Sequence, residues 1–254
     1  MWEVSGPDGQ SAWLFGTIHA LPPGMKWRTD RLQATIMRAD TLLVEVANLD
    51  DSKQGAQAFA AAARGTNLRP LLQRVPAADR PALSDALKRA GLDADELATT
   101  DTWAAALIIA NLTMTGDRGA SVDRALLESG LPVIGLEGYA AQFALFDRLT
   151  PEDQADLLRL TIAEIDTDGR AAQIAWLTGD LDALARNELA GVMADPGLYQ
   201  ALMVDRNRAW AAQIAEMMEG GRHPLVAVGA GHMIGDEGLP ALLTDRGYTV
   251  RRIQ

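Results

Sequence analysis

Two of the three histidines in this chain share one local setting, an apolar run followed by Gly-x-x-His. The first is Leu14-Phe15-Gly16-Thr17-Ile18-His19 and the second is Val226-Ala227-Val228-Gly229-Ala230-Gly231-His232. A glycine there lets the backbone turn off a strand end and leaves room beside the imidazole for a ligand or a metal ion. His223, between Gly220-Gly221 and Pro224, reads as a loop residue. Two carboxylates join the pair. Glu45 lies inside Thr41–Ala47 (TLLVEVA), flanked by Val44 and Val46, where an unpaired charge is costly to bury. Glu137 closes Leu131–Glu137 (LPVIGLE), directly before Gly138. His19, Glu45, Glu137 and His232 all fall at or near the carboxyl ends of expected strands, and open α/β sheets bind ligands in the crevice beyond those ends. Two imidazoles and two carboxylates converging there suit a borderline divalent metal such as Mn, Co or Zn, with one carboxylate acting as general base.

Patterning supplies the elements that would carry them. Trp2–Val4 and Ala12–Ile18 flank the turn Gly6-Pro7-Asp8-Gly9 and read as a hairpin. A helix starts at Thr29 or Asp30, with Leu32, Ile36 and Met37 at helical spacing. Thr41–Ala47 and Leu131–Glu137 read as strands buried on both faces. Pro224–Ala230 is a further strand, Asp236–Arg246 a helix ending at Gly247, and Tyr248–Ile253 the last strand. From about 50 to 128 the chain is Ala-rich and helical with breaks at Gly65, Pro70, Pro76 and Gly91, including a stronger helix near Asp101–Met114. A second helical stretch, about 142–220, is punctuated by Pro151, Gly169, Gly179 and Pro196. Short apolar strands separated by helices predict an α/β fold with a mostly parallel central sheet. Both helical stretches are too long for simple crossovers and read as large insertions in one domain spanning 1–254.

Composition excludes several classes. The 254 residues carry 23 Lys+Arg against 34 Asp+Glu, a net charge of −11, which argues against a phosphate-backbone binder. With no cysteine there is no disulfide framework, thiolate metal site or cysteine nucleophile, so ligands are restricted to nitrogen and oxygen. No apolar run approaches the roughly 18 residues that span a membrane. Neither H-E-x-x-H nor G-x-S-x-G occurs. Gly229-Ala230-Gly231 with Gly235 has one residue too many for a dinucleotide fingerprint. Asp205-Arg206-Asn207-Arg208 sits on a helix whose apolar face is Leu202, Trp210, Ile214 and Met217, and by pattern alone is a solvated face.

Taken together, GTIH after an N-terminal strand, the Glu of LLVEV, GLEG, the DRNRAW helix and the terminal VAVGAGHMIGDEGLPALLTDRGYTVRRI resemble the TraB/GumN family, from about Trp2 to Ile253. That family includes the Tiki proteases and is placed near erythromycin esterase and the haem-associated ChaN proteins. The resemblance implies a metal-dependent hydrolase, a peptidase in the Tiki branch, with Mn or Co as metal and a peptide or protein substrate. Its motif histidines carry over onto His19 and His232, its strand glutamate onto Glu45, and its Leu-Glu after the middle strand onto Glu137. Arg206 and Asn207 match its Arg-Asn pair, with Arg206 expected to stabilise a developing oxyanion, and Asp123 matches an acid ahead of the middle strand. Bacterial members commonly begin with a signal peptide, whereas this chain starts almost at its first strand. A trimmed N-terminus and a periplasmic or secreted origin are therefore expected, a cytoplasmic one being the alternative. Two other functions fit the same residues: esterase-like hydrolysis with a histidine base and no metal, and non-catalytic binding of haem or a peptide signal.

Overall fold

The computed structural model describes residues 1–18, 21–22, 24–48, 51–113, 121–165, 169–188 and 190–254. Its centre is a six-stranded sheet of β1 (Trp2–Ser5), β2 (Ser11–Thr17), β3 (Thr41–Val46), β4 (Val133–Glu137), β5 (Pro224–Gly229) and β6 (Thr249–Arg252). The spatial order is β4-β3-β5-β2-β1-β6. β4, β3, β5 and β2 run parallel, whereas β1 is antiparallel to both β2 and β6. The expected hairpin is present, with Ser5 opposite Ser11 across the turn.

One helix, α1 (Asp30–Arg38), joins β2 to β3, capped by Thr29, whose hydroxyl accepts from the Leu32 amide at 3.2 Å. Four lie between β3 and β4: α2 (Ser52–Ala62), α3 (Arg80–Ala90), α4 (Thr102–Thr113) and α5 (Val122–Leu127). Six more precede β5: α6 (Tyr139–Asp147), α7 (Pro151–Glu164), α8 (Arg170–Thr178), α9 (Leu181–Glu188), α10 (Pro196–Tyr199) and α11 (Asp205–Glu219). The last, α12 (Leu239–Asp245), leads to β6. The two expected helical insertions are thus α2–α5 and α6–α11. Among the described residues no helix is long and apolar enough to cross a membrane.

The period of two along each central strand builds two cores. Leu14, Leu43, Val226 and Val228 face α11 and α12, packing on Trp210, Ile214, Met218 and Leu243. Trp13, Phe15, Leu42, Val44, Leu225 and Ala227 face α1 and α5 with Leu32, Ile36, Val122 and Leu126. A third cluster belongs to the helical insertions alone. It centres on fully buried Trp103 of α4, which meets Phe59, Phe143 and Phe146 with ring centroids 5.6, 6.1 and 5.8 Å away.

Two expectations need correction. Leu131–Glu137 is not a strand buried on both faces: β4 is an edge strand paired only with β3, and its Ile134 is 40% exposed. An apolar run carries no information on how many neighbours a strand will have. The helix expected from Asp236 begins at Leu239, because Gly235, at φ 75°, and the Gly238 amide bonded to the Gly235 carbonyl make a turn of residues 235–238.

Candidate functional site

Parallel pairing aligns the carboxyl ends of β4, β3, β5 and β2. Glu137 is the last residue of β4 and lies opposite Val46, next to Glu45 on β3. β5 ends at Gly229, which is opposite Thr17 on β2 and is followed by a 3-10 turn, Ala230–Met233, that carries His232. α11 packs on one face of the sheet with its first turn at these ends, and is entered through a π-helical turn, Gln200–Val204, a feature frequent at functional sites. Its first turns present Arg206, Asn207 and Trp210.

Arg206 is not a solvated surface residue. Its Nε donates to Glu137 Oε1 at 2.8 Å, and its Nη2 to both Glu45 Oε2, at 2.8 Å, and Glu137 Oε1. Nη1 donates to the Leu202 carbonyl at 3.1 Å and faces His232 Nε2 at 3.4 Å. The guanidinium carbon lies 4.5 Å from the centre of the Trp210 ring. The side chains of Arg206, Glu45 and Glu137 are 12, 17 and 10% exposed, so one half-buried cation serves two half-buried carboxylates.

His232, 4% exposed, is oriented by Asn207. The Asn207 amide nitrogen donates to the Glu237 carbonyl at 2.8 Å, which turns its oxygen toward His232 Nδ1 at 2.6 Å. Nδ1 therefore carries a proton, and Nε2 faces Arg206 Nη1 and Glu45 Oε1, the latter 3.9 Å away. Trp210 lies against this imidazole, with ring centroids 4.6 Å apart and planes tilted by 50°, as well as under Arg206. Its helical spacing marked it only as part of an apolar face; nothing in the sequence signalled the double contact.

The motif glycines work through space rather than through unusual backbone angles, since neither Gly16 nor Gly229 has positive φ. A Cβ on Gly229 would sit 3.3 Å from Glu45 Oε1 and 3.6 Å from His232 Cδ2, and the Gly229 amide donates to Glu45 Oε1 at 2.9 Å. A Cβ on Gly16 would sit 3.0 Å from Ala230 Cα. Glycine thus lets the β2 end and the turn after β5 approach, and lets Glu45 reach the β5 backbone. Gly229→Ala is expected to cost less than about 1 kcal/mol of stability but about tenfold in activity, by displacing Glu45 a few tenths of an ångström. Gly135→Ala, whose Cβ would lie 2.8 Å from the Glu137 carbonyl and 2.9 Å from the Ala47 amide, should destabilise more, by about 1–3 kcal/mol. Thermal melts beside turnover measurements would separate the two.

The remaining expected residues divide. Asp123, 6% exposed in the first turn of α5, accepts from the Thr17 hydroxyl and from Ser121 Oγ at 3.1 Å; none of the described bonds joins it to the Arg206 network. His19 lies outside the described residues. His223 stands at the opposite end of β5, with Nδ1 2.9 Å from the Ser11 hydroxyl. It too has a glycine three residues earlier, Gly220, so the preceding strand and not the spacing alone distinguishes the site motifs.

Glu137 is the titrating group of interest. Burial pushes its carboxyl above the ordinary value of 4.5 and repulsion by Glu45 adds to this, while Arg206 opposes both. A carboxyl raised in the folded state holds protons more tightly than in the unfolded chain. Its stabilising effect is complete below the ordinary value and disappears as pH rises through the raised one. Glu137→Gln should therefore gain stability relative to the parent as pH is raised from about 4 to about 8, in melts across that range.

For a divalent ion, the imidazole nitrogen of His232 and the carboxylate of Glu45 are suitable donor types, with the ring oriented through Nδ1 by Asn207. Among the described residues there is no group of three His, Asp or Glu side chains placed to hold an ion.

A family model described as the TraB/PrgY/gumN family matches residues 1–252 of the chain. No curated protein matches it, and no solved structure does.

Proposed function

Because the chain belongs to the TraB/PrgY/gumN family, we propose that it is a hydrolase whose reaction takes place at the strand-end cluster of Glu45, Glu137, Arg206, Asn207 and His232. The observation that carries this reading is the His232 imidazole, held by Asn207 at Nδ1 so that its Nε2 faces the half-buried Glu45–Arg206–Glu137 group, 3.4 Å from Arg206 Nη1. A paired, oriented and desolvated set of titratable groups at parallel strand ends is the setting in which acid–base chemistry is expected.

The residues that would hold a divalent ion, Mn or Co with Zn as a further candidate, are His232, Glu45 and His19. Such an ion supplies an activated water and polarises the scissile carbonyl. Arg206 offsets the charge of both glutamates and fixes their orientation. Glu137, whose carboxyl is raised by burial, takes a proton from the attacking water and returns it to the leaving group. Asn207 keeps the proton on His232 Nδ1. The substrate class we infer is a peptide, cleaved at an amide, and the location periplasmic or secreted.

The test is a mixed peptide library, read by mass spectrometry, offered to chelator-stripped protein and then to the same protein supplied with Mn, Co or Zn. Cleavage that returns with metal is the expected result. No cleavage under any loading would overturn the reading. A second reading has its own support: Arg206 already pairs with both carboxylates, and His232 Nε2 lies 3.9 Å from Glu45, as suits an esterase-like reaction with a histidine base and no metal. Turnover unaffected by chelation would select it.

A further inference from the structure

The 3-10 turn that carries His232 has a second face. Ala230 and Met233 line a cleft of about 190 Å³ whose opposite walls are Phe15, Trp27, Trp176 and Leu181. His232, between those two lining residues in sequence, instead faces Asn207 and Trp210. The cleft and the imidazole are thus within one or two residues of each other along the same turn, and consecutive Cα atoms are about 3.8 Å apart. Gly16 of the first motif lines the cleft as well.

Trp2, Phe15, Trp27 and Trp176 line it, and the last three form one aromatic cluster. Phe15 and Trp27 are stacked at 6.4 Å, Phe15 and Trp176 meet edge-on at 6.1 Å, and Trp27 and Trp176 lie 6.4 Å apart. Trp176 is locked in place because its indole N–H donates to the Gly16 carbonyl at 2.7 Å. Both indoles of the cluster are half-buried, which leaves ring surface for a ligand to cover. The volume slightly exceeds the roughly 150 Å³ that accommodates a benzene ring in an apolar protein cavity. The rim carries Lys26 and Arg252, and no Asp or Glu is among the described lining residues. In a chain of net charge −11 this is a locally basic, aromatic recess.

We propose that this cleft is the specificity pocket of the enzyme and takes one aromatic side chain of an extended peptide substrate, excluding lysine and arginine side chains. Aromatic-on-aromatic contact supplies the affinity, and the two rim cations repel a cationic side chain. The assignment of the pocket to a substrate rests on the hydrolase reading; binding of an aromatic group does not.

Two measurements keep these apart. Titration of the protein with N-acetyl-phenylalaninamide, followed by tryptophan emission excited beyond the absorbance of the probe, should saturate, whereas N-acetyl-lysinamide should bind at least tenfold more weakly. Trp176→Ala should weaken phenylalaninamide binding about tenfold, and Trp176→Phe, which keeps a ring but loses the bond to Gly16, by less. His232→Gln should still bind it. In library cleavage, aromatic residues should be enriched at one position near the scissile bond, with Trp176→Ala raising KM for those peptides more than it lowers kcat. Equal binding of the two probes, or unchanged phenylalaninamide binding in a folded Trp176→Ala protein, would overturn the pocket. Specific phenylalaninamide binding in a protein that cleaves no peptide would retain the pocket and remove the peptidase reading.

Discussion

Replacing Arg206 with alanine is expected to lower the melting temperature by about 10 °C, the largest stability loss of any single change at the site. The guanidinium is the shared partner of Glu45 and Glu137, and all three side chains are at most 17% exposed. Its removal leaves two carboxylates side by side without the cation that holds them, and breaking a buried pair in this way costs about 3–5 kcal/mol. Each kcal/mol corresponds to about 2–4 °C in a protein of this size. Arg206→Lys keeps the charge but not the fork that reaches both glutamates, and should fall between alanine and the parent. The loss should be non-additive: Glu137→Gln introduced beside Arg206→Ala should recover part of it, because only one stranded carboxylate then remains. Calorimetry on the four proteins of that cycle measures the coupling. An Arg206→Ala protein that melts within about 2 °C of the parent would contradict the buried-cation role.

His232→Ala is expected to reduce hydrolysis by at least about a thousandfold while leaving the fold in place, since it removes the one described imidazole of the cluster. The Asn207 variant reports on orientation. Asn207→Leu removes the acceptor at 2.6 Å that keeps the proton on Nδ1, so Nε2 is no longer reserved for ligand or substrate. Loss of such a supporting partner costs about 10–100-fold in metal affinity or activity. The order parent, Asn207→Leu, His232→Ala in falling kcat/KM is the result to look for. Equal activity of Asn207→Leu and the parent would show that the imidazole does not need that tautomer.

Much of the architecture is legible in the chain because it depends on local patterning. The hairpin turn at Gly6-Pro7-Asp8-Gly9, the Thr29 cap and the apolar runs that became β3 and β5 are each specified within a few residues. The same holds for the candidate residues. Glu45 in a run of valines and His232 behind a strand and a glycine are anomalies against their own neighbours. The edge position of β4 and the helical core around Trp103 are not local properties, and no pattern announced them.

The amino-acid sequence by itself determined which segments become strands, that the sheet is mostly parallel, and which acidic, amide and imidazole groups stand near strand ends. Only the tertiary structure decided what those groups do to one another. Arg206 is separated from Glu45 by 161 positions and from Glu137 by 69, and in its own helix it looks like a solvated residue. It becomes the half-buried counterion because α11 packs on the sheet face with its first turn beside the ends of β3 and β4. The strand order β4-β3-β5-β2 is likewise a choice among ways of burying the same apolar surface, made by the packing of helices on both faces. Periodicity is a property of a short stretch of chain; the partner of a buried charge is a property of the whole fold.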